Sequence, residues 1–531
     1  MVAMVDARTV KEWLKDGREI AFIDVREHGQ YGEAHPFLVV SAPFSRFEPE
    51  LVRLVPNVHV RLVLLDDGDG VAARAARNAE GLGYRKVMVL AGGAAAWREA
   101  GYVLFAGVNV PSKTFGELLE HRLHTPRITA KDLAALQLSG EDHIVVDGRP
   151  FAEFQRMSIP GGICCPNGEL ALRIHEIAPN PTTRIVVNCA GRTRSIIGAE
   201  TLRAIGVPNP IVALENGTQG WFLAGLDVER GASRRHAMDT SEGPERSTRA
   251  ANARVLAGRR GVRFVTSAEV AQWLGESERT TFLLDVRTPE EYARGTAPGF
   301  QHAPGGQLVQ ATDQWVGVHR ARLVLADSDG IRAPVMGQWL AQLGHDVSVL
   351  EGGIAAGGEL PAAAAAAPRQ AALPPMLPTI SASDLAKAVA GSILAIVDVR
   401  GSMSYRKAHI PHAIWVTRPR LDRLQSIVAG RRIVLVADEP ATAALVANDL
   451  ADLGLRDVRT LAGGMTAWTA AGLPVVATPG TPIDADCIDY LFFVHDRHDG
   501  NADAARRYIE WEQGLVDQLD DDERAIFRFA P

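Results

Sequence analysis

A chain of 531 residues is longer than one hydrophobic core organises and points to about three to five domains. Apolar residues at 47% and charged residues at 22% exclude a disordered or fibrous chain, and a net charge of -7 argues against a duplex nucleic-acid binder, which needs a concentrated basic surface. Four cysteines, at 164, 165, 189 and 487, form neither a disulfide framework nor paired Cys-x-x-Cys metal motifs. With no basic-then-apolar leader and no apolar run near the roughly 20 residues that span a bilayer, we expect a cytoplasmic protein without a membrane partner.

The chain then reads as one unit written four times. Asp6 caps a first amphipathic helix, and an apolar strand follows that ends in Asp24-Val-Arg26. A second strand, Arg61-Leu-Val-Leu-Leu, runs into Asp66, and Gly83 closes the next helix. Leu90-Ala-Gly-Gly93 and Trp97 complete the unit. The second copy opens at Thr129-Ala-Lys-Asp132 and continues through Asp147-Gly-Arg149, Ile159-Pro-Gly-Gly162, Arg184-Ile-Val-Val-Asn-Cys189, Gly206, Leu214-Glu-Asn-Gly217 and Trp221. The third has Thr266-Ser-Ala-Glu269, Asp285-Val-Arg287, Arg322-Leu-Val-Leu-Ala-Asp327, Gly344 and Leu350-Glu-Gly-Gly353. The fourth has Ser381-Ala-Ser-Asp384, Asp398-Val-Arg400, His409-Ile-Pro-His412, Arg432-Ile-Val-Leu-Val-Ala437, Gly454, Leu461-Ala-Gly-Gly464 and Trp468.

Asp24 to Asp66, Asp147 to Cys189 and Asp285 to Asp327 each span 42 residues, and Asp398 to Ala437 spans 39. The second strand's arginine precedes the closing glycine by 22 residues in all four copies. Short apolar strands alternating with helices predict mainly parallel sheets covered on both faces. We place the domains at 1–108, 124–232, 262–358 and 378–480. Residues 230–261 read as a polar linker and 361–378, with six consecutive alanines, as another. From 481 to 531 no repeat is seen. That segment holds an aromatic run from Tyr490, a helix expected around Ala502 to Leu519, and an acidic patch from Asp520 to Glu523.

Only the second copy carries a cysteine at the strand-to-helix turn, where open parallel sheets gather their chemistry. Asp66, Asp327 and Ala437 stand there in the others. Cys189 is followed by Ala190, Gly191, Arg192, Thr193, Arg194 and Ser195. Such a loop can curl its amides into an anion-binding nest, with a helix N-terminus behind it and two cations to neutralise a ligand. The same influences lower a cysteine's pKa toward the thiolate. Asp66-Asp-Gly-Asp69 and Asp327-Ser-Asp329 would repel an anion and read as turn residues bonding their own backbone.

The ordered series of Asp-x-Arg, Ile-Pro-Gly-Gly, strand-Cys-loop-helix and Gly-Gly-x-x-x-Trp resembles the rhodanese homology domain, over all four copies from about residue 5 to 475. The resemblance implies four tandem rhodanese-like domains, one of them competent, with a C-terminal helical tail. It implies sulfurtransferase chemistry: Cys189 takes sulfur from thiosulfate or a similar donor as a persulfide and passes it to a thiol or cyanide, with no cofactor. Glu153 stands where two-domain thiosulfate enzymes place a substrate-contacting arginine, which leaves donor specificity open.

Cys164 and Cys165 could resolve or receive the persulfide; adjacent cysteines on a strand also serve simply as packing, on opposite faces. His495-Asp-Arg-His498-Asp499 reads as a solvated face rather than a metal site. A cysteine-dependent phosphatase or arsenate reductase is the competing enzyme, but its loop is Cys-x5-Arg, and Cys189 to Arg194 is one residue shorter. A scaffold of rhodanese modules is the third reading, and a homo-oligomer is compatible with all three.

Overall fold

The computed structural model describes residues 2–237, 244–361, 377–389, 394–428, 430–495 and 501–529. Each copy forms one five-stranded sheet with strand order 1-5-4-2-3, and neighbouring strands pair in parallel. In the second copy the strands are Arg127–Ile128, His143–Asp147, Ile163–Cys164, Arg184–Asn188 and Ile211–Leu214.

Alternation explains the layers. Val145, Val186 and Leu214 point into one core with Leu133 and Trp221, from helices Ala130–Ser139 and Gly217–Leu223. Val146, Ile185, Val187 and Ala213 point into the other, against Leu170, Ile174, Ala199 and Leu202 of helices Asn167–Ile177 and Thr193–Ala204. The caps read from the sequence form in all four copies: Asp6, Thr129, Thr266 and Ser381 each accept from the amide three residues on.

The Asp-x-Arg triplets are buried ion pairs in every copy, at 2.6–2.7 Å. Each arginine also donates to a carbonyl eight residues later, at Ala34, Met157, Gly295 and Ala408. This pins the turn after the strand.

The copies do not hang as beads. The second and third meet where Gly168 and Gly306 are so close that a Cβ on either would lie 2.7 Å from the other's amide nitrogen. The first and fourth are locked by Arg418, which pairs with Glu48 at 2.6 Å and Asp449 at 2.9 Å. The first and third touch through Glu19, which accepts from Thr280.

Two connecting segments differ from the expectation. Between the first two copies lies a helix, Val110–Leu123, for which the repeats gave no pattern. The polar linker contains a 16-residue helix, Pro244–Arg259, whose Ala253 and Ala257 are buried in the core shared with Trp339 and Leu340 of helix Arg332–Gln342. Small alanines let it pack closely despite its arginine-rich outer face. Of the alanine-rich linker, residues 362–376 lie outside the described residues, as do the side chains of His495 to Asp499.

The C-terminal segment has a helix, Ala502–Gln513, that stops at Gly514, short of the expected Leu519. It fastens the molecule. Lys11 pairs with Asp520 and Glu523 at 2.6 and 3.0 Å, so the acidic patch is a docking element for the first copy. Arg528 donates its amide to Gln342 in the third, and Asp489 accepts from Ser402 in the fourth. No helix among the described residues is long and apolar enough to cross a membrane.

Candidate active site

Cys189 follows the last residue of strand Arg184–Asn188 and is 1% exposed. Its Sγ lies 3.4 Å from Ser195 Oγ, on the first turn of helix Thr193–Ala204. Ser195 Oγ donates in turn to the Arg192 carbonyl at 2.8 Å. Thiol, hydroxyl and helix N-terminus therefore converge on one point, as the loop spacing predicts.

The loop is braced from beneath. Asn188 donates to Asp147 at 2.7 Å and to Thr218 at 3.0 Å, and the Thr218 amide and hydroxyl both donate to the Cys189 carbonyl, at 2.8 and 3.0 Å. Gly217, at φ 54°, comes so near that a Cβ there would stand 2.5 Å from the Cys189 oxygen. Gly93, Gly353 and Gly464 press on Asp66, Asp327 and Ala437 in the same way. The second glycine of Gly-Gly-x-x-x-Trp thus sets loop position, beyond the turn-forming role read from the sequence.

The triplet Asp147-Gly-Arg149 departs from the Asp-Val-Arg of its sisters for a visible reason. A Cβ on Gly148 would fall 2.0 Å from Asn167 Oδ1, and Asn167 Nδ2 donates to the Arg194 carbonyl at 2.8 Å. The missing side chain makes room for a brace on the Cys189 loop.

Both loop arginines are engaged. Arg194 makes a forked pair with Glu153, at 2.9 and 2.8 Å, and reaches Gln307 of the third copy at 3.4 Å. Arg192 forks onto Glu117 at 2.7 and 2.9 Å and also contacts Glu120 and Asn216. Both cations expected to neutralise a bound anion are thus paired with carboxylates in this structure, Arg192 with two of helix Val110–Leu123 and Arg194 with Glu153. Burial pushes the Glu117 carboxyl up to about 7, with Arg192 pulling the other way. Burial disfavours the Arg194 charge, but Glu153 and the Cys189 side chain outweigh it and raise its pKa.

Thr193 faces the C-terminal segment. Its Oγ1 donates to Glu512 Oε1 at 2.5 Å and its amide to the same oxygen at 3.4 Å. Glu512 is held in turn by Lys113 at 3.4 Å, which also bonds the Tyr508 hydroxyl. Gly116 packs so closely that a Cβ there would meet the Thr193 methyl at 2.8 Å. Lys113, Glu117, Glu120, Gln307, Tyr508 and Glu512 carry no motif, because they come from outside the second copy.

Cys164 ends its strand and Cys165 follows it, and the two pack into different clusters. Cys164 packs with Phe154 and Ala232, donates to the Arg149 carbonyl at 3.4 Å and borders a cavity of about 150 Å³ at the seam with the third copy. Cys165 sits in the core beside Leu170. Burial pushes the Cys164 thiol up to about 12 and raises Cys165 well above the ordinary thiol value, the reverse of what a reactive thiol needs.

In the first copy Asp66 accepts from the amides of Gly68, Gly70 and Ala72 at 2.9–3.1 Å. In the third, Asp327 accepts from Gly330 and Ala333 at 2.9 and 2.8 Å. The loops are amide cradles, and in these two copies the resident carboxylate fills them.

Comparison with known proteins places this geometry. Residues 6–100, 129–224, 266–359 and 381–471 each match the model of the rhodanese-like domain. The chain is similar to the crystal structure of a thiosulfate sulfurtransferase from Pseudomonas aeruginosa, at 42% identity, a TM-score of 0.90 and coverage of 99% of both chains. It is also 35% identical over 106 residues to an HTH-type transcriptional regulator of Mycobacterium tuberculosis, a match that covers 20% of this chain and 45% of that protein. Four sheets of one topology, four family matches and a full-length relative agree: the chain belongs to the rhodanese-like domain family.

Proposed function

We propose that this protein is a sulfurtransferase that moves sulfane sulfur from thiosulfate, or a similar donor, to a thiol or cyanide through a persulfide on Cys189. The carrying observation is that the strand-to-helix turn whose amides bind a carboxylate in two sister copies carries in the second a buried thiol, 3.4 Å from Ser195 Oγ on the first turn of the following helix.

In the first half-reaction the Cys189 thiolate attacks the outer sulfur of the donor. The donor's S–S bond breaks and sulfite leaves with the electron pair. Loop amides and the helix N-terminus stabilise the charge on the incoming anion and then on the persulfide. In the second, the acceptor nucleophile takes the outer sulfur and returns Cys189 as thiolate. Asn167, Thr218 and Gly217 hold the loop in place, so little reorganisation accompanies either step.

The Cys-x4-Arg loop, one residue shorter than that of the phosphatase reading, supports sulfur over phosphate. The first, third and fourth copies bring no nucleophile to the equivalent position and serve the second as scaffold. Four unpaired thiols fit a reducing compartment such as the cytoplasm.

Treatment with thiosulfate is expected to add one sulfur to the Cys189 peptide by mass spectrometry, and Cys189→Ala to abolish sulfite release in the presence of cyanide. Full activity of the alanine variant overturns the reading.

A further inference from the structure

We propose that Glu512 is a specificity-determining residue whose carboxylate occupies the amide cradle of the Cys189 loop in the resting protein and competes there with the anionic donor. The proposal rests on reading that loop as the donor site.

The first copy supplies the first observation. In the first copy the amide four residues beyond Asp66, that of Gly70, donates to the Asp66 carboxylate at 3.1 Å. The amide four residues beyond Cys189 is that of Thr193, and it donates to Glu512 at 3.4 Å. Where the loop carries a thiol instead of a carboxylate, a carboxylate from another segment takes the equivalent amide.

The second observation is the other oxygen. Glu512 is 1% exposed, and its Oε2 has no hydrogen-bond partner. That atom lies only 2.9 Å from where a Cβ on Gly191 would be, so the carboxylate rests against the loop's own turn. Tyr508 stands 3.1 Å from the same point, which makes helix Ala502–Gln513 the cover of the loop. A buried oxygen without a donor is costly to keep unless the site uses it.

Glu512 stays charged there. Burial opposes ionisation, but Lys113, the two Thr193 hydrogen bonds and Arg192 keep its carboxyl below the ordinary value. A dianionic donor and this carboxylate cannot share one cradle without strong repulsion. The donor binds by displacing Glu512 from Thr193, which tunes donor affinity downward and favours small, highly charged anions that repay the exchange.

The test uses the full-length protein with sulfate as an unreactive anion. Glu512→Gln keeps the shape and one acceptor oxygen but removes the charge; Glu512→Asp keeps the charge one methylene further from the amide. The sulfate concentration that half-protects Cys189 from iodoacetamide is expected to fall about tenfold in Glu512→Gln and by less in Glu512→Asp. The KM for thiosulfate should fall in parallel, with a smaller change in kcat. Half-protecting sulfate that is unchanged or higher in the soluble variants overturns the proposal. Alkylation requires only the thiol, so the outcomes separate: loss of persulfide formation in the unaltered protein sinks the sulfur reading, and normal sulfur uptake with no sulfate shift sinks the role of Glu512 alone.

Discussion

The loops of the second and third copies face the same seam with matched parts, and they differ in what sits at the centre. Arg194 pairs with Glu153 of its own copy and Gln307 across the seam. Arg332, five residues after Asp327 as Arg194 is after Cys189, pairs with Glu291 of its own copy and Glu169 across the seam. Glu153 and Glu291 lie six residues after their Asp-x-Arg aspartates, and Glu169 and Gln307 lie twenty-two after them. The seam is thus a near-symmetric exchange of contacts between a cysteine-bearing and an aspartate-bearing loop. Arg332 is additionally fixed by Asp329 at 2.7 Å, and Asp327 fills its own cradle. The aspartate-bearing loop supplies two of its own carboxylates, Asp327 and Asp329, whereas the Cys189 loop has none and takes all of its carboxylates from other elements.

The comparison can be tested from either side of the seam. The largest effect is expected from Arg332→Met, which strands Glu291 and Asp329 in a buried site and leaves Glu169 to Arg173 alone. A loss of about 3–5 kcal/mol in a denaturant melt is expected, since removing one partner leaves uncompensated buried charge. An unchanged midpoint would mean that the aspartate-bearing loop is held by packing alone.

Gly148→Val restores the residue found in the sister copies and drives a side chain into Asn167. The cost should lie toward the top of the roughly 1–3 kcal/mol typical of overpacking, with a drop in kcat because the Arg194 carbonyl loses its brace. The mirror change Val286→Gly in the third copy should leave kcat alone.

A smaller effect concerns pH. Burial and the neighbouring Asp329 push the Asp327 carboxyl up to about 7, whereas unfolded aspartate titrates near 3.8. The folded state then holds the extra proton between those values, so stability falls as pH rises through them. Between pH 5 and 8 the protein should lose on the order of 2 kcal/mol relative to Asp327→Asn, read as diverging thermal midpoints. Parallel midpoints would show that the cradle amides keep Asp327 ionised throughout.

Much of this architecture was legible in the sequence because it repeats. Forty-two residues between strand end and loop, recurring three times, can only be a conserved path across a sheet, and the helix caps declare themselves by hydroxyl-acid spacing. What was not legible lies between copies. Helix Pro244–Arg259 hid behind its arginines, since only small alanines mark its buried face. Asn167 filling the space over Gly148 is a contact of two ordinary-looking residues, and no periodicity announces it. The engagement of Arg192 by Glu117 depends on a connecting helix that belongs to no repeat. Glu153 was visible as a departure, but its partner Arg194 emerges only from the fold.

The junction of Thr193 with Glu512 spans 319 residues of chain. At synthesis rates of about 5–20 residues per second, the loop around Cys189 emerges roughly 15–60 s before the helix that covers it. The loop at Gly191 and Thr193 is therefore synthesised well before the helix that packs on it exists. The contacts of the Cys189 loop are complete only once the distal segment has docked on it.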